Sequence, residues 1–300
     1  MKTIYLAIAL LLLFSCKKEN ETIEAAPEIV EEMTPVPLRQ ANTTQSLIAE
    51  FIFKKTEVKD KLASLSAEQA NALYDSYKVQ NDSLMLSLEH TEQHFLDHYY
   101  NYYQDEQGKP MAAPDSIARK EAQFKNAGME FWGIGEGIVE TRTVPTFYLS
   151  LFKGHVTKDY EDFIALLAKD DKDLYTADAG LVISFDDVGK RALNWEKFIH
   201  KHPYSRLTPL AIDYYREYQS GFLLGHDNTP TIESSDDTFY PENLKAFADF
   251  TTANPSSPTT DLITVIIEAE GTKDEITKTV LKAQQKLIDK LIKETTPDYR

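Results

Sequence analysis

The second half of the chain repeats itself at an offset of 52 residues, and this repeat restricts the folds that the sequence can adopt. Four residue types recur in the same order: Phe198 and Phe250, Pro203 and Pro255, Ser205 and Ser257, and Leu210 and Leu262. Each copy consists of two apolar-periodic segments joined by a Pro-x-Ser turn, which predicts a hairpin of two helices. Such hairpins bury their inner faces only by stacking on neighbouring hairpins.

The Phe-x4-Pro-x-Ser turn resembles tetratricopeptide-like repeats of envelope lipoproteins, although the offset of 52 departs from their usual period of 34. Residues 128–230 also resemble a segment of uncharacterised extracytoplasmic bacterial proteins. The resemblance implies stacked helical hairpins. In the second helix of the first copy, Tyr215 and Tyr218 share one stripe with Ala211 and Phe222. We therefore expect a concave, tyrosine-rich surface on which Tyr215 and Tyr218 contact a ligand.

The remaining periodicity predicts a mainly α-helical protein, either a tetratricopeptide-like solenoid or an irregular helical array. Ser66 and Gln69 form a capping-box signature, and Asp82 is interpreted as the N-cap of a further helix. Residues 181–183 are interpreted as helical because helical segments flank them. Alternating glycines and β-branched residues predict a small irregular or β-hairpin insertion near 129–146.

The N-terminus carries Lys2, an apolar run from 5 to 14, Ser15 and Cys16. The run is too short for a stable membrane span and is typical of a cleaved signal peptide. With Leu13-Phe14-Ser15-Cys16 at its end, it resembles a bacterial lipoprotein signal. The resemblance implies cleavage before Cys16, which then carries a diacylglycerol and a third acyl chain such as palmitate. These chains would anchor the protein in a membrane.

Four regions follow from these signals: a signal peptide at 1–15, an acidic tether at 16–45, an N-terminal helical region at 46–145 and a C-terminal helical-repeat region at 146–300. Glutamates and prolines keep the tether from folding into a helix. Lys17-Lys18-Glu19 is similar to signals that send some Gram-negative lipoproteins to the outer face of the outer membrane. We expect an outer-membrane lipid anchor, with the body displayed on the surface or otherwise facing the periplasm.

The net charge of −16 argues against nucleic acid as a partner. Cys16 is the only cysteine, so the chain forms no internal disulfide. No nucleophile-elbow motif (Gly-x-Ser-x-Gly) is present in the sequence. These features favour a binding protein over an enzyme and predict no cofactor.

The most unusual local stretch runs from Trp132 to Glu140. Trp132 could stack on a sugar ring, and Glu136 with Glu140 could form the acid/base pair of a glycosidase. The alternative is a tight turn whose glycines permit positive φ.

His90, His94 and His98 recur at i, i+4 and i+8 of one helix. Adjacent members can approach closely enough to share a zinc ion completed by an acid from another helix. The alternative is a set of histidines that pack beside the core or lie on a solvated edge.

Three functions therefore remain open from the sequence. The leading hypothesis is a non-catalytic, envelope-anchored binding module for a protein or a glycan. The second is a hydrolase of envelope polysaccharide that uses Glu136 and Glu140. The third is a zinc-binding lipoprotein that uses the three histidines.

Overall fold

The computed structural model describes residues 43–296. Cys16, the predicted signal peptide and most of the predicted tether lie outside these residues. The helices of the described part are α1 (Thr44–Leu62), α2 (Ala67–Asp97), α3 (Asp115–Ala127), α4 (Phe147–Phe152), α5 (Lys158–Asp170), α6 (Phe185–Lys201), α7 (Thr208–Leu224), α8 (Pro241–Ala253), α9 (Pro258–Glu268) and α10 (Lys273–Thr295). The strands are β1 (Met129–Gly135), β2 (Ile138–Thr143), β3 (Thr176–Ala177), β4 (Gly180–Leu181), β5 (Gly225–His226) and β6 (Thr229–Pro230). The mainly α-helical architecture with small hairpin insertions is confirmed.

Helix α2 begins at the predicted capping box, in which the Ser66 hydroxyl accepts from the backbone N–H of Gln69. The predicted break at Asp82 is wrong, because α2 continues through this position to Asp97. No glycine or proline interrupts residues 67–97, so nothing in the sequence stops the helix there. The Asp82 carboxylate instead forms an exposed ion pair with Lys78 one turn earlier, at 2.8 Å.

The helical interpretation of residues 181–183 is also wrong. Leu181 ends the hairpin of β3 and β4, whose turn residues Asp178 and Ala179 both have positive φ, at 48° and 50°. Helix α6 starts only after Ser184, whose hydroxyl caps it by accepting from the backbone N–H of Asp187. A tight hairpin and a helix cap thus override the helical context on both sides.

Two large apolar clusters form the interior. The first joins α1 to α5 and contains a group of packed aromatic rings, including Phe51, Tyr77 and Phe147. The second joins α5 to α10 around Trp195. Helix α5 contributes to both clusters, and the first cluster extends on both sides of the domain boundary predicted at residue 145. None of the helices within residues 43–296 is long and apolar enough to cross a membrane.

The two copies of the repeat fold as the hairpins α6–α7 and α8–α9, and their turns are built alike. In the first turn the Ser205 hydroxyl donates to the Asp159 carboxylate on α5, at 2.5 Å. In the second turn the Ser257 hydroxyl donates to the Glu196 carboxylate on α6, also at 2.5 Å. In both copies the threonine three residues later donates to a carbonyl oxygen at the end of the preceding helix, at 2.6 and 2.7 Å. Each turn is therefore bound to a helix that comes before its own hairpin.

Candidate functional site

The glycine-rich stretch folds as the antiparallel hairpin of β1 and β2. Its tip consists of Gly135, Glu136 and Gly137, which all have positive φ, at 102°, 53° and 77°. Glycine adopts such angles without steric cost, whereas Glu136 is strained there. The tight-turn interpretation is thus confirmed for Gly135 and Gly137.

Gly133 serves a different purpose, because it lies under the side chain of Tyr100. A Cβ atom at position 133 would lie only 2.3 Å from the Tyr100 hydroxyl oxygen. No side chain larger than hydrogen fits there while Tyr100 keeps its position. Gly133 therefore allows the Tyr100 ring to lie against the strand, where it forms one wall of a cleft.

This cleft, which we call the tyrosine cleft, has a volume of about 590 Å³. It lies where the 3₁₀ helix Tyr99–Tyr103, α3 and β1 meet. Its lining residues are Tyr99, Tyr100, Tyr103, Glu121, Lys125, Met129, Glu130 and Phe131. Its size falls within the range of about 300–1,000 Å³ that is usual for small-molecule sites. Aromatic faces, carboxylates and an ammonium group are thus gathered around one concave surface.

Glu121 organises the polar part of the cleft. The Tyr99 hydroxyl donates to Glu121 Oε1 at 2.6 Å, and the Tyr103 hydroxyl donates to the same oxygen. Burial, followed by these hydrogen bonds to a carboxylate, raises the pKa of both tyrosines. The two hydroxyls therefore stay protonated at physiological pH and fix the carboxylate as an acceptor.

An ion pair in the interior fixes the position of α3 and hence of Glu121. The Glu92 carboxylate on α2 is only 4% exposed and accepts from Lys120 on α3. It also accepts from the Thr44 hydroxyl on α1, at 2.5 Å. The Lys120 ammonium lies 4.5 Å from the centroid of the Phe95 ring, within reach of a cation–π interaction. Three helices are thus joined immediately beside the cleft.

Trp132 does not line the tyrosine cleft. It shares a face of the hairpin with Glu130 and Arg142, and the Arg142 guanidinium lies 3.5 Å from the centroid of a Trp132 ring. Arg142 also forms an ion pair with Glu130 across the two strands, at 2.8 Å. One face of the indole is therefore covered by a fixed cation, and the stacking role predicted for Trp132 is restricted to its other face.

Glu136 and Glu140 do not face a common cavity. Glu136 is exposed at the hairpin tip, whereas Glu140 is half-buried and lines a separate cavity beside α2 that does not include Glu136. Burial, followed by the nearby charge of Glu89, raises the pKa of Glu140. The structure thus gives Glu140 a different carboxylate neighbour from the one predicted, and the glycosidase pair is not assembled.

The three histidines are exposed along α2 and at its C-terminal end. The rings of His94 and His98 lie 4.6 Å apart, and His98 Nδ1 is 2.9 Å from the backbone oxygen of His94. Within residues 43–296 no group of three or more His, Cys, Asp or Glu side chains is arranged to hold a metal ion. His90, His94 and His98 are therefore not completed by an acid from another helix, and they match the predicted solvated edge.

Tyr215 and Tyr218 lie in the second core and not on a ligand-binding surface, so this prediction is wrong. Tyr215 is fully buried, and its hydroxyl accepts from Gln219 at 2.7 Å. Tyr218 is 6% exposed and packs edge-on against Tyr175. The stripe that they share with Phe222 is apolar enough to be the buried face of α7, and their hydroxyls find partners inside the protein.

The residues that build the cleft were missed by the sequence analysis, although a signal was present. Four of the five residues from 99 to 103 are tyrosines, directly after a long amphipathic helix. The position of Glu121 opposite them depends on how α3 packs, which no local pattern encodes.

Comparison of the chain with protein-family models, with curated proteins and with solved structures found no match. The function is therefore inferred from the chemistry of the cleft and from the signal predicted at the N-terminus.

Proposed function

We propose that this protein is a lipid-anchored cell-envelope binding module, without catalytic activity of its own, that holds a saccharide in the tyrosine cleft. The observation that carries the proposal is the cleft itself, in which three tyrosine rings surround a fixed carboxylate. Sugars present apolar C–H faces edged by hydroxyl groups. Tyrosine rings pack against such faces, and carboxylates and ammonium groups bind the hydroxyls.

The state of the carboxylates in the cleft supports binding rather than hydrolysis. Glu121 accepts from two tyrosines, and Glu130 is paired with Arg142. A glycosidase needs one carboxyl group that donates a proton and a second that attacks or activates water. Because Glu121 and Glu130 are both already bound by donors, their carboxylates suit the role of hydrogen-bond acceptors in a binding site.

The proposed setting rests on the sequence. Cys16 and the tether lie outside the described residues, and the outer-membrane anchor stays a proposal. Metabolic labelling with a palmitate analogue tests it, because label should enter the wild-type protein and be absent from the Cys16→Ala variant. Labelling of the Cys16→Ala variant to the wild-type level would show that Cys16 is not the lipidated residue.

A glycan array probed with the purified protein, followed by calorimetry with the strongest ligand, tests the binding function. Tyr100→Ala and Glu121→Gln should each weaken binding about tenfold or more, because the first removes a wall of the cleft and the second removes the negative charge of the central acceptor. Tyr204→Ala is the matched control, since Tyr204 is 70% exposed and is not among the residues that line the cleft. This control should bind as the wild type does.

Equal binding by Tyr100→Ala and by the wild type would contradict the role of the cleft. Release of reducing sugar from any bound glycan would instead favour the hydrolase hypothesis. Capture of a protein by the wild type but not by Tyr100→Ala would show that the cleft binds a protein and not a saccharide.

A further inference from the structure

Three charged side chains line the tyrosine cleft, and one of them, Lys125, has no partner among residues 43–296. Glu130 forms an ion pair with Arg142, at 2.8 Å. Glu121 accepts from two tyrosine hydroxyls. The Lys125 ammonium takes part in no hydrogen bond, ion pair or cation–π contact of the described part of the chain. This group is therefore available to a ligand in the cleft.

The position of Lys125 on α3 makes an available cation unexpected. Lys125 follows Glu121 by four residues, and a glutamate followed by a lysine at this spacing often forms an ion pair on a helix surface. Here Glu121 Oε1 instead accepts from the hydroxyls of Tyr99 and Tyr103. The two tyrosines supply donors in place of the lysine, so the charge of Lys125 stays available.

The cleft thus presents two different polar groups on one face of α3. The Glu121 carboxylate accepts hydrogen bonds from sugar hydroxyls, whereas the Lys125 ammonium has three N–H donors and a full positive charge. An ammonium group forms stronger hydrogen bonds with a carboxylate than with a neutral hydroxyl. A neutral sugar would therefore leave part of the binding capacity of Lys125 unused.

We propose that the saccharide held in the tyrosine cleft is acidic and that Lys125 binds its carboxylate, as in a uronic acid unit of a polysaccharide, an inference that rests on the proposed saccharide function. The ligand carboxylate must avoid Glu121, which lies about 6 Å from Lys125 along the helix axis. In a uronic acid the carboxylate at C5 lies across the pyranose ring from the hydroxyl at C2. The ring can therefore place its carboxylate at Lys125 and its hydroxyls at Glu121.

The charge of the whole chain makes this local cation decisive for an anionic ligand. The net charge is −16, so the surface at large does not attract an acidic sugar. At physiological ionic strength, exposed charges further away than about 8 Å are largely screened. The Lys125 ammonium is within the cleft, so it acts on a bound ligand at short range.

Calorimetry with the full-length protein tests the preference with matched ligands, methyl β-D-glucuronide and methyl β-D-glucoside, which differ only at C6. The wild type should bind the glucuronide about threefold to tenfold more tightly. The gain is moderate because Lys125 is exposed and solvent screens its charge. The methyl ester of the glucuronide, which has no charge, should bind within about twofold of the glucoside. Raising NaCl from about 0.05 M to about 0.5 M should reduce the preference.

Lys125→Gln should lose the preference, so that its affinities for the glucuronide and the glucoside agree within about 1.5-fold. Lys282→Gln is the matched control, because it removes the charge of another exposed helical lysine that does not line the cleft. It should keep the wild-type ratio of affinities. Thermal unfolding checks that both variants are folded.

Equal binding of the two ligands by the wild type would overturn the role of Lys125 and leave saccharide binding in the cleft standing. A preference that persists in Lys125→Gln, or that is lost to the same extent in Lys282→Gln, would overturn it as well. If the wild type binds neither ligand, the acidic specificity and the proposed saccharide function fail together.

Discussion

Replacing Lys120 by methionine should destabilise the whole N-terminal core, because it leaves the Glu92 carboxylate buried without a counter-charge. Glu92 is 4% exposed, and Lys120 on α3 is the cation that neutralises it. Methionine keeps most of the apolar stem and a contact with the Phe95 ring, so the change removes mainly the charge.

The expected loss follows from the burial of the two partners. Breaking a fully buried ion pair by removing one partner costs about 3–5 kcal/mol. Lys120 is 31% exposed, so solvent screens part of the interaction, and we expect about 2–3 kcal/mol. Glu92→Gln should cost only about 1 kcal/mol, because the lysine can turn to water whereas the glutamate cannot. The double variant Glu92→Gln/Lys120→Met should also lose about 1 kcal/mol in its free energy of unfolding. This is well below the sum of the losses in the two single variants.

Equilibrium unfolding in urea measures these differences. With a denaturant slope of about 2–3 kcal/mol per molar, Lys120→Met should lower the midpoint by about 1 M. A free energy of unfolding for Lys120→Met within about 0.5 kcal/mol of the wild-type value would show that the buried Glu92 carboxylate does not need this counter-charge. Additive losses of stability in the double variant would likewise show that Glu92 and Lys120 act independently.

Three further predictions concern the repeat, the junction of α5 and α6, and the cleft. Ser257→Ala should cost about 1.5–3 kcal/mol in urea unfolding, because it removes a buried hydrogen bond to the Glu196 carboxylate. Burial acts to raise the pKa of Asp162, but hydrogen bonds from two lysines and a histidine outweigh it and hold that pKa below its usual value. The charged form is thus favoured by folding, so this stability is present above about pH 4 and is lost as the pH falls through the folded pKa. Asp162→Asn should be less stable than the wild type at pH 7, and its free energy of unfolding should fall less than that of the wild type on acidification. Gly133→Ala should displace Tyr100 and weaken saccharide binding about fivefold to tenfold, with little change in the unfolding midpoint.

Each of these predictions has its own control. Ser205→Ala removes the equivalent hydrogen bond at a less buried position, so it should cost less stability than Ser257→Ala. A larger loss of stability in Ser205→Ala would contradict the role given to burial. Asp213→Asn replaces an exposed aspartate on α7 and should keep the acid unfolding profile of the wild type. For Gly133→Ala, unchanged binding would show that the position of Tyr100 does not shape the site.

The sequence predicted those parts of the fold that local chemistry decides. The capping box at Ser66 and the two Pro-x-Ser hairpins appear in the structure because caps and turns depend on residues within a few positions. Asp82 failed as a cap because a polar residue caps a helix only where the helix ends, and neighbouring helix formers carried α2 through it. The turn after residue 177 failed to be recognised because Asp-Ala is an uncommon pair for two positive φ angles.

The candidate site was much less predictable. A stripe such as that of Tyr215 and Tyr218 has the same spacing whether it faces a core or a ligand, and only tertiary packing decides between them. The tyrosine cleft forms from segments separated along the chain, and its central acceptor, Glu121, is placed by α3 as a whole. The glycines between 133 and 137 indicated that this hairpin is unusual. The role of Gly133, however, depends on its contact with Tyr100, which lies 33 positions earlier.

The two turn serines point backward along the chain, and this direction has a consequence for how the protein is made. Ser205 reaches a carboxylate 46 residues earlier, and Ser257 reaches one 61 residues earlier. The chain leaves the ribosome from its N-terminus onward, and under the signal proposed here it also crosses a membrane in that order, so each acceptor has already emerged when its serine appears. Each of these two turns can therefore close on a finished helix without waiting for downstream sequence, and the two helical hairpins can assemble in the order in which they emerge.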